Sequence, residues 1–155
     1  MVSRMSKEVL VDTSIWVEYF GGSKIGKKAS KRYIDNPRYK LITSIITVAE
    51  LSKHLSRGKK GFESFLIPED LLRFLKMKGS ILPINEKIAI LGGELLGTSR
   101  FGKLGFADYL ILASAIENSI SKVITKEERW KEVNNHRGAK IGKKSLDLKV
   151  EVIRA

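Results

Sequence analysis

The stretch Gly105-Phe-Ala-Asp108-Tyr-Leu-Ile-Leu-Ala-Ser-Ala-Ile116 constrains the fold more than any other part of the chain. Its apolar residues fall on nearly every face of a helix, so this helix has no solvent side and belongs in the interior. The other elements must cover it, which calls for a layered architecture. One carboxylate, Asp108, sits at its first turn. An ionised side chain at the mouth of a buried helix is either a helix-end device, favoured there by the dipole, or a ligand for something else.

The elements around it alternate. Lys7–Asp12 is a short apolar run ending in an acid, as a buried parallel strand would be. Thr13–Phe20 has helical spacing and stops at Gly21-Gly22. Lys24–Ile34 is a basic helix closed by Asn36-Pro37. Lys40–Ser44 is expected as a second strand, Thr47–Arg57 as a helix, and Pro68–Lys78 as a helix with proline in its first turn. Ser80–Pro83 is expected as a third strand, and Asn85 as the N-cap of a helix over Glu86–Gly97. Gly92-Gly93 inside that helix costs roughly 1 kcal/mol per glycine against alanine, and a closely packed neighbour would explain the pair. Ser121–Thr125 is a fourth strand, Glu127–Val133 a short helix and Lys149–Ile153 a last edge strand. The pentapeptide Lys-Ile-Gly-Lys-Lys occurs at Lys24–Lys28 and again at Lys140–Lys144, with nothing around it repeating. The pattern implies a three-layer α/β/α domain with a mainly parallel sheet of four to five short strands.

Length and composition narrow the function. At 155 residues and 43% apolar content the chain reads as one globular domain over residues 1–155. No cysteine excludes disulfides, thiolate zinc sites and cysteine nucleophiles, and two histidines are too few for a His-rich centre. Met1–Glu8 carries no apolar leader, and Tyr109–Ile116 is too short to span a bilayer, so a cytoplasmic protein without a membrane partner is expected. A formal net charge of +12 favours a polyanionic partner, nucleic acid or an acidic protein, although a lysine-rich surface accounts for it equally.

Parallel sheets bind ligands at the carboxyl ends of their strands. Asp12 directly follows the first strand, Glu50 lies just beyond the second, and Glu127 lies just past the fourth. Asp108 joins them if its helix begins at the same edge. Taken singly, each has a plain alternative. Asp12 and Glu127 suit helix starts, and Glu50 lies off the apolar line of its helix. Converging carboxylates raise one another's pKa unless a cation neutralises them. An all-oxygen set suits Mg²⁺ or Mn²⁺, and such a set in a basic protein points to phosphodiester chemistry.

Five segments in order carry a more specific signal: Val-Leu-Val-Asp12-Thr-Ser-Ile-Trp, Thr43-Ser-Ile-Ile-Thr-Val-Ala-Glu50-Leu, Gly92-Gly-Glu-Leu95, Gly105-Phe-Ala-Asp108-Tyr-Leu-Ile-Leu-Ala-Ser-Ala, and Val123-Ile-Thr-Lys-Glu127-Glu-Arg-Trp130. Together they resemble the PIN domains, and among these the VapC-type toxins of toxin–antitoxin pairs. The resemblance implies a Mg²⁺- or Mn²⁺-dependent endoribonuclease that hydrolyses RNA by in-line attack of metal-activated water. Asp12, Glu50 and Asp108 would be metal ligands, with Glu127 in the fourth acidic position. It also implies a homodimer and a small antitoxin as inhibitor.

Thr13, Ser14 and Thr125 would position water or ligands, or serve as turn and cap hydroxyls. Lys24, Lys27 and Lys28, with Lys31, Arg32, Lys59, Lys60, Lys103, Lys143 and Lys144, are the candidate RNA phosphate contacts. The chain departs from the family in the fourth motif. Members commonly carry Asp or Asn where Glu127 stands, and often another Asp at the place of Arg129. Glu128 is a near alternative to Glu127, while Arg129 lowers the negative charge of the site and offers a phosphate contact. This leaves open whether one metal or two would bind. An RNA-processing nuclease without antitoxin, and a basic RNA-binding domain with weakened catalysis, are the competing expectations. A phosphatase of the haloacid type needs a second Asp two places after the first, where Ser14 stands.

Overall fold

The computed structural model describes residues 7–155. The reading of the first residues as free of a leader therefore falls largely outside the described residues. Five parallel strands form the sheet: β1 (Lys7–Val11), β2 (Tyr39–Ser44), β3 (Gly79–Leu82), β4 (Lys122–Thr125) and, last in the chain, β7 (Lys149–Val152). Their spatial order is β3-β2-β1-β4-β7. A small antiparallel pair, β5 (Lys140–Ile141) and β6 (Lys144–Ser145), stands apart from it.

Successive strand residues point to opposite faces of the sheet, and here both faces are apolar. Val9, Val11, Leu41, Ile124 and Ile153 pack on one side with Ile15, Trp16, Leu51, Leu71 and Leu75. These come from α1 (Thr13–Gly21), α3 (Ile45–Ser56) and α4 (Pro68–Lys78). α2 (Lys24–Ala29), continued by a π turn over Ser30–Ile34, adds Ala29, Tyr33 and Ile34 to that layer. Leu10, Ile42, Val123 and Val150 pack on the other side with α5 (Glu86–Gly97), α6 (Phe106–Glu117) and a 3₁₀ segment over Glu128–His136. The architecture is thus the expected three-layer α/β/α sandwich, with a wholly parallel main sheet. Among the described residues no helix is long and apolar enough to cross a membrane.

Most of the expected boundaries agree with the structure to within two residues. Gly22 stops α1 in the left-handed region (φ 69°), and the following Ser23 N–H bonds the Glu18 carbonyl, which closes the helix end. α3 starts at Ile45, two residues before the expected Thr47, because the Ser44 hydroxyl accepts the Ile46 N–H and caps the helix there. The expected short helix over Glu127–Val133 is instead a 3₁₀ segment, fastened by fully buried Trp130 and Val133.

α6 is buried along Asp108–Ile116, as its all-round apolar pattern requires. α5 lies along it, and the two adjacent glycines of α5 differ in role. A Cβ at Gly92 would come within 2.9 Å of Leu110 Cδ2, whereas one at Gly93 would meet nothing within 4 Å. Close approach to α6 therefore explains Gly92 and leaves Gly93 unexplained. Gly93→Ala should stabilise the protein by up to ~1 kcal/mol through helix propensity. Gly92→Val should destabilise it by about 1–3 kcal/mol by overpacking against α6. Urea unfolding of the two variants tests this assignment, and equal effects would refute it.

Candidate active site

The chain order of the strands reverses between β1 and β4, since β2 and β3 lie to one side of β1 and β4 and β7 to the other. Such a switch point opens a crevice at the carboxyl edge of a parallel sheet. Asp12 directly follows β1, and its N–H bonds the Ile124 carbonyl of β4 at 3.0 Å, so its position is fixed by the sheet itself. One cleft there is lined by Asp12, Glu50, Asp108 and Glu127, together with Thr13, Ser14, His54, Lys59, Lys126 and Arg129. All four expected acids are thus brought to one place. Lys24, Lys27 and Lys28 lie on α2 outside this lining, where Lys28 donates to the Arg154 carbonyl.

The Asp12 side chain makes no capping bond to α1. Instead its Oδ2 accepts from the Ser14 hydroxyl and from the Thr125 hydroxyl, each at 2.7 Å. Both hydroxyl protons are spent on Asp12, so the 3.2 Å approach of Ser14 and Thr125 is contact and not a further bond. The same two oxygens accept backbone N–H groups, Ser14 from Lys126 and Thr125 from Glu127. The carboxylate is held by two fixed hydroxyls, and neither supplies charge.

Glu50 is placed by a comparable chain. Thr13 Oγ1 donates to Glu50 Oε1 at 2.7 Å, so in the 2.8 Å Thr13–Thr47 pair the proton comes from Thr47. Thr13 and Thr47 are both buried. Helical spacing puts His54 one turn beyond Glu50 on α3, and it lines the same cleft. Burial, reinforced by Lys53 and Lys59, holds its imidazole below the usual range, hence neutral at pH 7. Spacing alone could have placed His54 in the site, but its isolation from other histidines hid it.

Asp108 proves to be helix-end device and cleft residue at once. Its Oδ2 accepts the Gly105 N–H at 3.1 Å and Arg129 Nε at 3.0 Å. Arg129 also approaches Glu127 Oε2 at 3.6 Å. Glu128 turns the other way, paired with Arg154 at 2.7 Å and Lys131 at 3.0 Å, so Glu127 and not Glu128 is the fourth acid of the cleft. Lys126 is paired with Glu18 at the rim, which draws the Glu18 carboxyl below its usual range.

The fit to a divalent cation can be judged from these partners. Among the described residues no three of His, Cys, Asp and Glu stand close enough to enclose an ion as they are. Intramolecular partners hold the carboxylates: hydroxyls for Asp12 and Glu50, a guanidinium for Asp108. The donor set is nevertheless all oxygen and rich in carboxylates, as Mg²⁺ or Mn²⁺ requires. Asp12 shows the deficit most plainly. Burial pushes its carboxyl up to about 6, the Ser14 and Thr125 hydroxyls oppose this, and the nearby Asp108 and Glu50 charges add to it. The charges around a carboxylate raised in this way do not offset its burial, and a cation would.

The raised Asp12 carboxyl makes the stability of the metal-free protein depend on pH. Asp12 in the folded state takes up a proton more readily than in the unfolded chain, so its contribution to stability is full below pH ~4. That contribution is lost as pH rises through about 6. The difference between about 6 and the ordinary 3.8 corresponds to about 3 kcal/mol. In EDTA, Asp12→Asn should match the wild type near pH 4 and exceed its unfolding free energy by up to about 3 kcal/mol at pH 7.5. Urea unfolding at both pH values measures it, and a pH-independent difference would count against the uncompensated charge.

No curated protein matches the sequence. Among solved structures, VapBC2 from Rickettsia felis, bound to a DNA fragment from its promoter, superposes with a TM-score of 0.64 at 20% identity, over 94% of this chain and 98% of that one. VapBC-1 from nontypeable Haemophilus influenzae gives 0.61 at 21% identity, over 94% and 97%. VapC20 from Mycobacterium tuberculosis, a Sarcin-Ricin loop cleaving toxin, gives 0.61 at 16% identity, over 77% and 90%. These likenesses show a shared fold. The sequence profile of the PIN domain matches residues 9–135, a span that holds all four acids and most of the chain, and the protein therefore belongs to the PIN domain family.

Proposed function

We propose that this protein is a Mg²⁺- or Mn²⁺-dependent endoribonuclease, acting in the cytoplasm as the toxin of a type II toxin–antitoxin pair. The observation that carries the reading is the convergence of Asp12, Glu50, Asp108 and Glu127 on one cleft whose rim is cationic. Its solved relatives support the toxin assignment by their assemblies, VapBC complexes in Rickettsia felis and Haemophilus influenzae. VapC20 supports RNA as the substrate. A small antitoxin and a second copy of the chain are the partners this reading includes.

Asp12, Glu50 and Asp108 would hold the metal, with Glu127 beside them. When bound, such an ion supplies Lewis acidity and an acidified water near neutral pH. The chain's own residues do the positioning. Ser14 and Thr125 hold the Asp12 carboxylate in one orientation, and Thr13 does the same for Glu50. Fixed ligands need no reorganisation during the reaction, which is what preorganised electrostatics requires. Lys59 and Lys126 at the rim would draw in the phosphate backbone, and the positive charge of Arg129 would add to their pull. Such contacts hold the strand without reading its sequence. The exposed lysines of α2 would engage RNA away from the cleft.

A catalytically weakened RNA-binding domain is the second reading, favoured by the ion pair of Arg129 with Asp108. Cleavage of structured RNA separates the two. The purified protein should cut it with Mg²⁺ or Mn²⁺ and stop in EDTA, and Asp108→Asn should lower the rate at least ~100-fold, the scale expected for losing a positioned electrostatic group. Full activity in a natively folded Asp108→Asn protein would remove Asp108 from the ligand set. RNA binding with no cleavage in Mn²⁺ would favour the second reading. Co-purification of a small tightly bound protein would support the toxin role over an RNA-processing nuclease.

A further inference from the structure

We infer that Arg129 is a resident counter-cation that takes the place of a second metal, so that the cleft takes a single divalent ion, held by Asp12, Glu50 and the oxygen of Asp108 that Arg129 leaves free. This rests on the metal-dependent reading above and sets its stoichiometry. The four carboxylates fall into two unlike pairs. Among the described residues, Asp12 and Glu50 accept side-chain hydrogen bonds from neutral hydroxyls, those of Ser14, Thr125 and Thr13. Asp108 and Glu127 face a full positive charge, with Arg129 Nε 3.0 Å from Asp108 Oδ2 and its terminal nitrogen 3.6 Å from Glu127 Oε2.

The local structure keeps this charge in place. Arg129 is the second residue of the 3₁₀ segment, and the next residue, Trp130, is fully buried and fixes the backbone there. Asp108 in turn is held by the Gly105 N–H at the start of α6. The Asp108 side chain is only 11% exposed, so the ion pair is screened from water at the carboxylate end. A guanidinium cannot be deprotonated near neutral pH. A divalent ion entering between Asp108 and Glu127 would therefore have to expel Arg129 or lie beside a like charge. An ion entering beside Asp12, whose side-chain partners are the Ser14 and Thr125 hydroxyls, need not displace Arg129 and relieves the repulsion among carboxylates. Glu127 follows the same logic, since a longer acid reaches a guanidinium carried two residues further on.

Titration of the RNA-free protein with Mn²⁺ tests the stoichiometry, by calorimetry for the number bound and by electron paramagnetic resonance for coupling between neighbouring ions. The wild type should bind one Mn²⁺, with no spin–spin coupling. Arg129→Ala should bind two, with coupling, and Arg129→Lys should return to one. Arg129 is 43% exposed, so its truncation leaves the core intact, and Arg129→Gln serves as a second variant of similar length. Two ions in the wild type, or one ion in a folded Arg129→Ala or Arg129→Gln protein, would overturn the inference and leave the nuclease reading standing. No bound ion in the wild type would overturn both.

Discussion

The cleft depends on the burial of one carboxylate. Asp12 is 3% exposed, at the junction of β1 and β4, with its backbone tied to Ile124 and its side chain to Ser14 and Thr125. Charge in such a place is expensive unless paired, and the side-chain hydrogen bonds that the fold provides there come from hydroxyls, which carry no charge. A protein shaped only for stability would have placed an apolar residue at this strand end. What the arrangement holds instead is a fixed negative charge at the point where a parallel sheet opens.

The layers on either side serve that point. The fully buried body of α6 gives Asp108 a rigid base, and the close approach allowed by Gly92 lets α5 brace α6 from behind. On the opposite face, the Thr13–Thr47 pair couples α1 to α3 and orients Glu50. The 3₁₀ segment brings Glu127 and Arg129 to the remaining edge. Acids thus reach the cleft from both helical layers and from the sheet edge.

Much of this could be read from the chain because the signals were local. The all-round apolar run of α6, the Ser44 and Asn85 caps and the glycine stop after α1 each depend on a few neighbouring residues. The four acids were legible because parallel strands end at one edge, so position along the chain predicts position in space. Tertiary context decided what stayed hidden. Lys-Ile-Gly-Lys-Lys opens a helix at Lys24 but spans the β5–β6 hairpin at Lys140–Lys144, so identical residues take two conformations. Whether Asp108 was a cap or a cleft residue could not be read from its helix, because the deciding partner, Arg129, lies 21 residues away in the chain. The direction of Glu128, away from the cleft and toward Arg154, likewise depends on a contact 26 residues distant.

The proposed function stands or falls on whether a divalent cation binds among the four carboxylates of the cleft. Anomalous diffraction at the manganese edge, from crystals grown with Mn²⁺, tests it most directly. The account predicts an anomalous peak within bonding distance of Asp12 and Glu50 carboxylate oxygens. A cleft without a peak, in crystals where Mn²⁺ is bound elsewhere on the same molecule, would contradict it.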